Sequence, residues 1–318
     1  MKKELNYLFK EEFLPEMRHA GRLSEETIRG YKSAYELFLK LLPDIVYASD
    51  IKVNRMVEFF KILNTRKRIV GRGKEREGVK KSTIATYWSK LNKFFRWLER
   101  HSHIEKNPLD KELMDYPDVR YEELKYLDKK EVEKIFNAVE FSIKWKNSII
   151  RKRNILIFII LLTCGLRKGE LLGLKNRDID LERKILIVRA ETSKSKMQRA
   201  IPLNSLAVTK LKDYFSEKQK FNFGTDYLFI SDKQDDGLKQ SGIKHLVEKM
   251  KEATGVKFHL HQFRHTFAVN MLMKGTDIAK LKQLLGHRDI RMTASYLRCL
   301  PTDEMRNDIE ALTLDNLI

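Results

Sequence analysis

The sequence predicts a mainly α-helical protein with a small β-sheet, divided into an N-terminal four-helix domain and a larger mixed α/β domain. Three observations carry this. Apolar residues recur at helical spacing in long segments on both sides of Pro108 to Leu127, a stretch with two prolines and no sustained period. Strand-like runs are short and confined to Lys184 to Arg189 and Arg199 to Leu203. A chain of 318 residues with 42% hydrophobic content has enough apolar side chain for two cores. The expected divisions are a helical domain over 1–107, a linker over 108–127, a second domain over 128–300 and a tail over 301–318.

In the first domain, Ser24 caps a segment whose Ile28, Tyr31, Tyr35, Phe38 and Leu42 repeat at helical spacing, and Pro43 ends it. Val53 to Leu63 continues the period. Ser82 is expected to cap the last helix, with Ile84, Tyr87, Trp88, Leu91, Phe94, Phe95 and Leu98 turned inward and Asn107-Pro108 closing it. Between these helices lies Arg66 to Ser82 (RKRIVGRGKEREGVKKS), with eight basic residues, two acidic ones and three glycines. It reads as a mobile basic loop. A charge run is commonly just solvated surface. Here the loop feeds a helix start, so backbone amides, hydroxyls and cations converge where a phosphate can sit. Arg66, Lys67, Arg68, Arg72, Lys74, Arg76, Lys80, Lys81, Ser82 and Thr83 are therefore candidate DNA contacts.

In the second domain Asp128 caps Lys129 to Val139, and a further helix runs through Arg153 to Leu162 and ends at Gly165. Arg167 follows in a tight turn before Glu170-Leu171-Leu172, a placement suited to bidentate phosphate binding or simply to a surface cation. The two short strands enclose a polar turn, Glu191 to Gln198, that carries Lys194 and Lys196. Ser205 to Lys218 reads as a helix, Tyr227 to Ile230 as a short strand and Gln240 to Ala253 as another helix.

The densest chemistry lies in His261 to Tyr296 (HQFRHTFAVNMLMKGTDIAKLKQLLGHRDIRMTASY). Phe263, Phe267 and Met271 mark a buried stripe, while His261 and Arg264 at i, i+3 share another face, a proton acceptor beside a fixed cation. Gly275-Thr276-Asp277 stops this helix and caps the next, whose apolar stripe Ile278, Leu281, Leu284, Leu285 ends at Gly286. His287 thus falls just past a helix end. Arg288 to Ser295 offers little apolar content, so Tyr296 is expected to be partly exposed. Periodicity alone makes this a polar helix face as readily as a site. Zinc is a poor reading of His261 and His265, because Gln262 replaces the glutamate of a His-Glu-x-x-His motif and Cys164 and Cys299 are isolated.

Charge narrows the partner. Lys and Arg number 63 against 44 Asp and Glu, a balance of +19 that favours a polyanion, nucleic acid first, although a basic surface can also be idle. The longest apolar run, Ile155 to Cys164, is too short to span a bilayer, and no single basic amphipathic helix dominates, so no membrane role is expected. The N-terminus lacks a signal-peptide core and the two cysteines suggest no disulfide framework. These features point to a reducing cytoplasm and the nucleoid.

Taken together and in order, CGLRKGEL (Cys164 to Leu171), TSKSKMQRAIPL (Thr192 to Leu203), HQFRHTF (His261 to Phe267), LLGH (Leu284 to His287) and Tyr296 resemble the tyrosine recombinase (phage integrase, Xer-like) family. Phe263 stands where leucine is commoner, and the lysine turn is less glycine-rich than usual. The resemblance implies a SAM-like core-binding domain that clamps one face of a duplex, and a catalytic domain that takes the other. It implies inverted-repeat core sites in double-stranded DNA, a homo-tetramer on that DNA, and a tail that docks into a neighbouring protomer in place of folding back on its own domain. It also implies roles. Arg167 and Arg264 stabilise the charge of the pentavalent phosphate. Tyr296 is the nucleophile, and its phenol, with a pKa of about 10, needs that positive field and an acceptor, for which His261 is chosen. Lys194, with Lys196 as its rival, protonates the leaving 5′-oxygen. His287 bonds the phosphate or orients the tyrosine.

No acidic cluster or Walker loop accompanies these blocks, so neither metal nor nucleotide cofactor is expected. The helical pattern begins near Met1, which suggests a core-site enzyme without an additional arm-binding domain. A type IB topoisomerase-like or telomere-resolving enzyme would share the Arg, Lys, Arg, Tyr chemistry. A catalytically silent DNA-binding architectural protein is the non-enzyme alternative. Compact length, the two-domain layout and filled catalytic positions favour a recombinase. Integration or excision of a mobile element and resolution of DNA dimers both remain open.

Overall fold

In the computed structural model, residues 3–21, 23–70, 73–118 and 124–301 are described, and the chain divides into two units, Met1–Tyr121 and Glu122–Ile318. In the first unit, α1 (Leu5–Tyr7), a π-helical stretch (Leu8–Phe13) and α2 (Leu14–His19) run on as one helical segment. It packs with α3 (Glu25–Leu41), α4 (Val53–Thr65) and α5 (Lys81–Arg100). The inward stripes meet in an aromatic core in which Phe9 stacks on Tyr35 at 3.8 Å between centroids and Phe94 lies edge-on to both. Ser24 caps α3 as expected, its hydroxyl accepting from the Thr27 amide.

Three local expectations change. The basic loop contains an antiparallel strand pair, β1 (Lys67–Val70) against β2 (Lys74–Glu77), with Arg68 opposite Arg76 and Ile69 opposite Glu75. Charge had hidden a short alternating run that closes once the Gly78 amide bonds the Arg66 carbonyl. Helix α5 starts at Lys81, so Ser82 lies inside its first turn instead of capping it, and Lys80 takes the N-cap position. The same helix stops at Arg100, well before Asn107-Pro108. Buried Asn107 instead straps the following chain back onto α5, donating to Asn92 Oδ1 at 2.6 Å and, through its amide, to Glu99 at 3.0 Å. Arg72 lies outside the described residues.

The linker region has no independent body among its described residues. Leu109 is buried in the first core, whereas Leu124 and Tyr126 pack in the second unit and Leu127 is part of its main core.

In the second unit, a reciprocal capping box of Asp128 and Glu131 opens α6 (Lys129–Asn137). Helix α7 (Ser148–Cys164) is apolar almost all round because it is the centre of the core, covered by α9 (Ser205–Lys220) and α11 (Leu260–Met273). A sheet of order β3-β4-β5 follows the short α8 (Lys168–Leu172), with β4 (Ile185–Val188) antiparallel to both β3 (Ile179–Asp180) and β5 (Arg199–Pro202). At two residues, β3 is too short to leave an alternating pattern.

Tyr227 to Ile230 is not a strand. It makes single bridges to Lys175 and Gly237, and the Thr225 and Tyr227 carbonyls are taken by the buried Lys218 ammonium at 2.9 and 2.6 Å. Helices α10 (Gln240–Thr254), α11, α12 (Ile278–Leu285) and α13 (Ile290–Ala294) complete the unit, and a 3-10 turn, Ser295–Cys299, brings Tyr296 back onto α11. No helix among the described residues is long and apolar enough to cross a membrane.

Candidate active site

A buried carboxylate organises the cations. Glu170, 1% exposed, accepts from the Arg167 amide at 2.9 Å, from Arg167 Nη1 at 3.0 Å, and from Arg199 Nη1 and Nη2 at 3.1 and 2.7 Å. Arg264 approaches it at 3.9 Å. Glu170 remains ionised with its pKa below the ordinary value: burial alone would raise it, but the Arg199 and Arg167 bonds outweigh that. Three guanidinium groups against one carboxylate leave a net positive pocket, as an anion site requires.

The C-terminal carbonyls of α12 hold those guanidiniums in place. Arg264 is completely buried and donates to Leu285 O at 2.6 Å and Gly165 O at 2.8 Å, while Arg199 Nε donates to Leu284 O at 2.8 Å. Leu284 and Leu285 lie in the last turn of α12, at the negative end of its dipole, and Gly165 is the C-cap residue of α7. Gly165 itself has φ +59° and sits so close to Phe267 that an added Cβ would fall 2.4 Å from its ring, so only glycine turns this carbonyl toward Arg264.

Three histidines and the tyrosine meet beside Arg264. Tyr296 was expected to be partly exposed, yet it is 3% exposed, its ring packed in a satellite core with Phe267, Ala268, Val269, Leu281 and Leu285. The polar run before it folds into α13, which seats the ring although it adds little apolar content. The His265 Nδ1 lies 3.1 Å from the Tyr296 hydroxyl, and its ring meets that of His261 edge-on at 4.5 Å. His287 lies parallel to Tyr296 at 6.3 Å and pairs through Nδ1 with Thr293 Oγ1 at 2.9 Å, both residues buried.

Electrostatics keeps this group neutral. Desolvation, then the charges of Arg264 and Arg167, push His287 down to about 3 and His261 to about 4; His261 remains open to solvent on its outer side. His265 falls to about 4, from desolvation and then its imidazole neighbours and Arg264. At neutral pH all three can accept a hydrogen bond. Burial raises the Tyr296 phenol, while the nearby guanidinium groups of Arg264 and Arg167 oppose the rise.

Lys194 lies on an exposed turn between buried Ser193 and Ser195, whose hydroxyls bond at 2.8 Å, and its charge reaches His261. The rival Lys196 has φ +56°, in the left-handed region. Arg288 holds this turn by giving both Nε and Nη2 to Ser195 O at 3.0 and 2.7 Å.

The structure therefore brings Arg167, Arg264, His261, His287 and Tyr296 together and sets the Lys194 turn beside them. Sequence reading missed Glu170, Arg199, His265, Arg288 and Thr293 as members of the site. Arg199 lies inside a recognised block with nothing in its spacing to set it apart, and His265 was weighed only as a zinc ligand beside His261. Among the described residues, no group of three or more His, Cys, Asp or Glu side chains is arranged to hold a metal ion.

Known proteins carry the same arrangement of domains. Residues 125–302 match the phage integrase family, and residues 11–102 match the phage integrase N-terminal SAM-like domain. A tyrosine recombinase of Pseudothermotoga lettingae is 28% identical over 291 residues, 91% of this chain and 92% of that protein. Tyrosine recombinase XerA of Thermococcus onnurineus is 27% identical over 299 residues, 92% of this chain and 99% of the relative. Among solved structures, a XerH site-specific recombinase bound to palindromic difH substrate has a TM-score of 0.72 at 20% identity, covering 94% of this chain and 82% of the other. The Tn1549 transposon integrase in complex with transposon right end DNA has a TM-score of 0.72 at 20% identity, covering 94% and 97%. Those two establish the shared fold. With more than half of its length matched by the catalytic family and most of the remainder by that family's N-terminal domain, this chain belongs to the phage integrase family of tyrosine recombinases.

Proposed function

We propose that this site-specific recombinase cleaves and rejoins double-stranded DNA through a 3′-phosphotyrosine at Tyr296. The observation that carries the reading is the meeting of one buried phenol with Arg264 and neutral imidazoles in a pocket of net positive charge. A scissile phosphate seated against Arg167 and Arg264 gains charge in its pentavalent transition state, where preorganised donors help most. The phenolic oxygen attacks phosphorus, and the bond to the 5′-oxygen breaks. Lys194 gives that oxygen its proton, His261 borders the phosphate and the proton path, and His287 orients Tyr296 through its parallel ring. The phosphotyrosine conserves the bond energy, so a 5′-hydroxyl from another strand can reverse the step and exchange partners.

DNA contact in the first unit is assigned to Arg66, the hairpin, Lys80, Lys81, Ser82 and Thr83. The hairpin register supports a finer division. Arg68, Arg76 and Lys74 lie on one face, and Lys67, Ile69, Glu75 and Glu77 lie on the other. Arg68 and Arg76 are directly opposed, a repulsive pair that a phosphate between them relieves. The face with Arg68, Lys74 and Arg76, which carries no carboxylate, is the one that meets the backbone.

A homo-tetramer on paired inverted-repeat core sites completes the reading, with the tail beyond Pro301 docking into a neighbour. The apolar positions Met305, Ile309, Leu312 and Leu314 of that tail lie outside the described residues. The second unit does offer an apolar cavity of about 1090 Å³ lined by Leu127, Val132, Leu162, Phe267, Met271 and Leu284. Tyr296→Phe should leave DNA binding intact and abolish covalent protein–DNA adducts, and adducts that persist would reject the nucleophile. Deleting residues 303–318 should abolish synapsis while sparing half-site binding. Recombination undiminished by the deletion would refute docking, and relaxation of supercoils without partner exchange would favour a topoisomerase.

A further inference from the structure

The hydrogen bond to Tyr296 that this fold builds comes from an imidazole other than the expected acceptor. His265 Nδ1 is 3.1 Å from the phenolic oxygen, and His261 stands one helical turn earlier with its ring against that of His265. A neutral phenol has one proton to give. With Nδ1 as acceptor, His265 carries its own proton on Nε2, and the bond to His265 uses none of the lone pairs with which the Tyr296 oxygen attacks a phosphate. Both partners sit on rigid elements: His265 is half-buried in α11, and Tyr296 is clamped in the satellite core by Phe267 and Leu281.

We propose that His265 is a catalytic residue, the general base that receives the Tyr296 proton as the phenolic oxygen bonds to phosphorus. The inference rests on Tyr296 being the nucleophile. In the step, the Tyr296 oxygen forms its bond to phosphorus, the bond from phosphorus to the 5′-oxygen breaks, the phenolic proton passes to His265 Nδ1, and Lys194 protonates the departing oxygen. When the 5′-hydroxyl of a partner strand attacks, both protons return along the same bonds. A nucleophile and an acceptor at hydrogen-bonding distance form the geometric signature of such a pair. Protonation of His265 is disfavoured in the DNA-free protein by burial, by His261 and His259, and by Arg264. A phosphodiester anion bound to Arg264 and Arg167 counters the cationic part of that bias, so the base gains strength when substrate is present.

The test compares single-turnover adduct formation on a nicked suicide substrate by the full chain and two variants. His265→Asn keeps an oxygen acceptor near the Nδ1 position but cannot take the proton, and His265→Ala removes both functions. Each should slow adduct formation about a hundredfold or more, with the DNA dissociation constant unchanged within about twofold. A second arm replaces Tyr296 by a ring-fluorinated tyrosine that ionises near neutral pH. In the His265→Asn background this change should restore about tenfold or more of the rate, since the lost service is removal of a proton. His265→Asn at the wild-type rate, or no recovery with the fluorinated phenol, overturns the base. Either result leaves Tyr296 standing, because the nucleophile is judged separately by Tyr296→Phe.

Discussion

Replacing Glu170 by glutamine tests the electrostatic frame of the site directly. The carboxylate receives four hydrogen bonds from Arg167 and Arg199 and faces Arg264 at 3.9 Å, all in the protein interior. Glutamine keeps the shape, but it removes the charge and turns an amide donor toward guanidinium donors. At about 1.5–3 kcal/mol for each hydrogen bond involving a charged group, the loss of two such bonds gives about 3–6 kcal/mol, in line with the ~3–5 kcal/mol cost of breaking a buried ion pair. Urea unfolding followed by circular dichroism is the assay. With m values of about 1–3 kcal/mol per molar, the midpoint of the second unit should fall by about 1 M or more. Adduct formation should fall as well, since Arg167 and Arg264 lose the group that orients them. Adding Arg199→Met to Glu170→Gln removes one stranded cation, so the double variant should recover about 1–3 kcal/mol relative to the sum of the single losses. A loss under about 1 kcal/mol for Glu170→Gln, or strict additivity in the double variant, would refute the claim that a single carboxylate holds the cation cluster together.

Three further outcomes follow from the same geometry. His287 is 7% exposed and titrates at about 3 in the folded protein against an unfolded value of about 6.5, so the unfolded chain takes up a proton that the folded one does not, and stability falls as pH drops from 6.5 toward 3. Between pH 7 and pH 5 this costs about 2 kcal/mol, and His287→Gln should remove that part of the slope in urea titrations at the two pH values; an unchanged slope would show that His287 is not the group responsible. Arg288→Ala frees the Lys194 turn from its anchor at Ser195 O, so strand cleavage should slow, and a substrate with sulfur as the 5′-leaving atom, which needs no proton, should rescue Arg288→Ala and Lys194→Ala but not Tyr296→Phe. Reversing charge with Arg68→Glu or Arg76→Glu should weaken DNA binding and flatten its salt dependence by about one phosphate contact, whereas Glu75→Gln should do neither, as read by fluorescence anisotropy across a salt series.

Much of this protein was legible in the order of its residues. Helix positions followed from apolar period, and several ends followed from local chemistry, as at Ser24, Asp128, Gly165, Asp277 and Gly286, because a cap is made by residues a few positions apart. Local chemistry also misled. Ser82 looked like a cap but lies two residues past the one observed, and the hairpin was hidden by its lysines and arginines, since two four-residue strands are held by pairing across a turn more than by propensity.

Which residues carry the site's charges was readable too, because Arg167, Arg264, His261, His287 and Tyr296 belong to distinctive blocks in a fixed order. Who touches whom was not. Glu170 meets Arg199 from 29 positions away, Arg288 meets Ser195 from 93, and Tyr296 reaches His265 across 31. Such pairs depend on how α7, α11 and α12 stack, which is decided by burial of whole faces and leaves no periodic trace in the chain. The sequence by itself thus determined the family and the mainly helical fold class. Only the tertiary structure decided that the tyrosine is buried and that its hydrogen bond falls to His265, because orientation at the ångström scale comes from packing between elements distant in the chain.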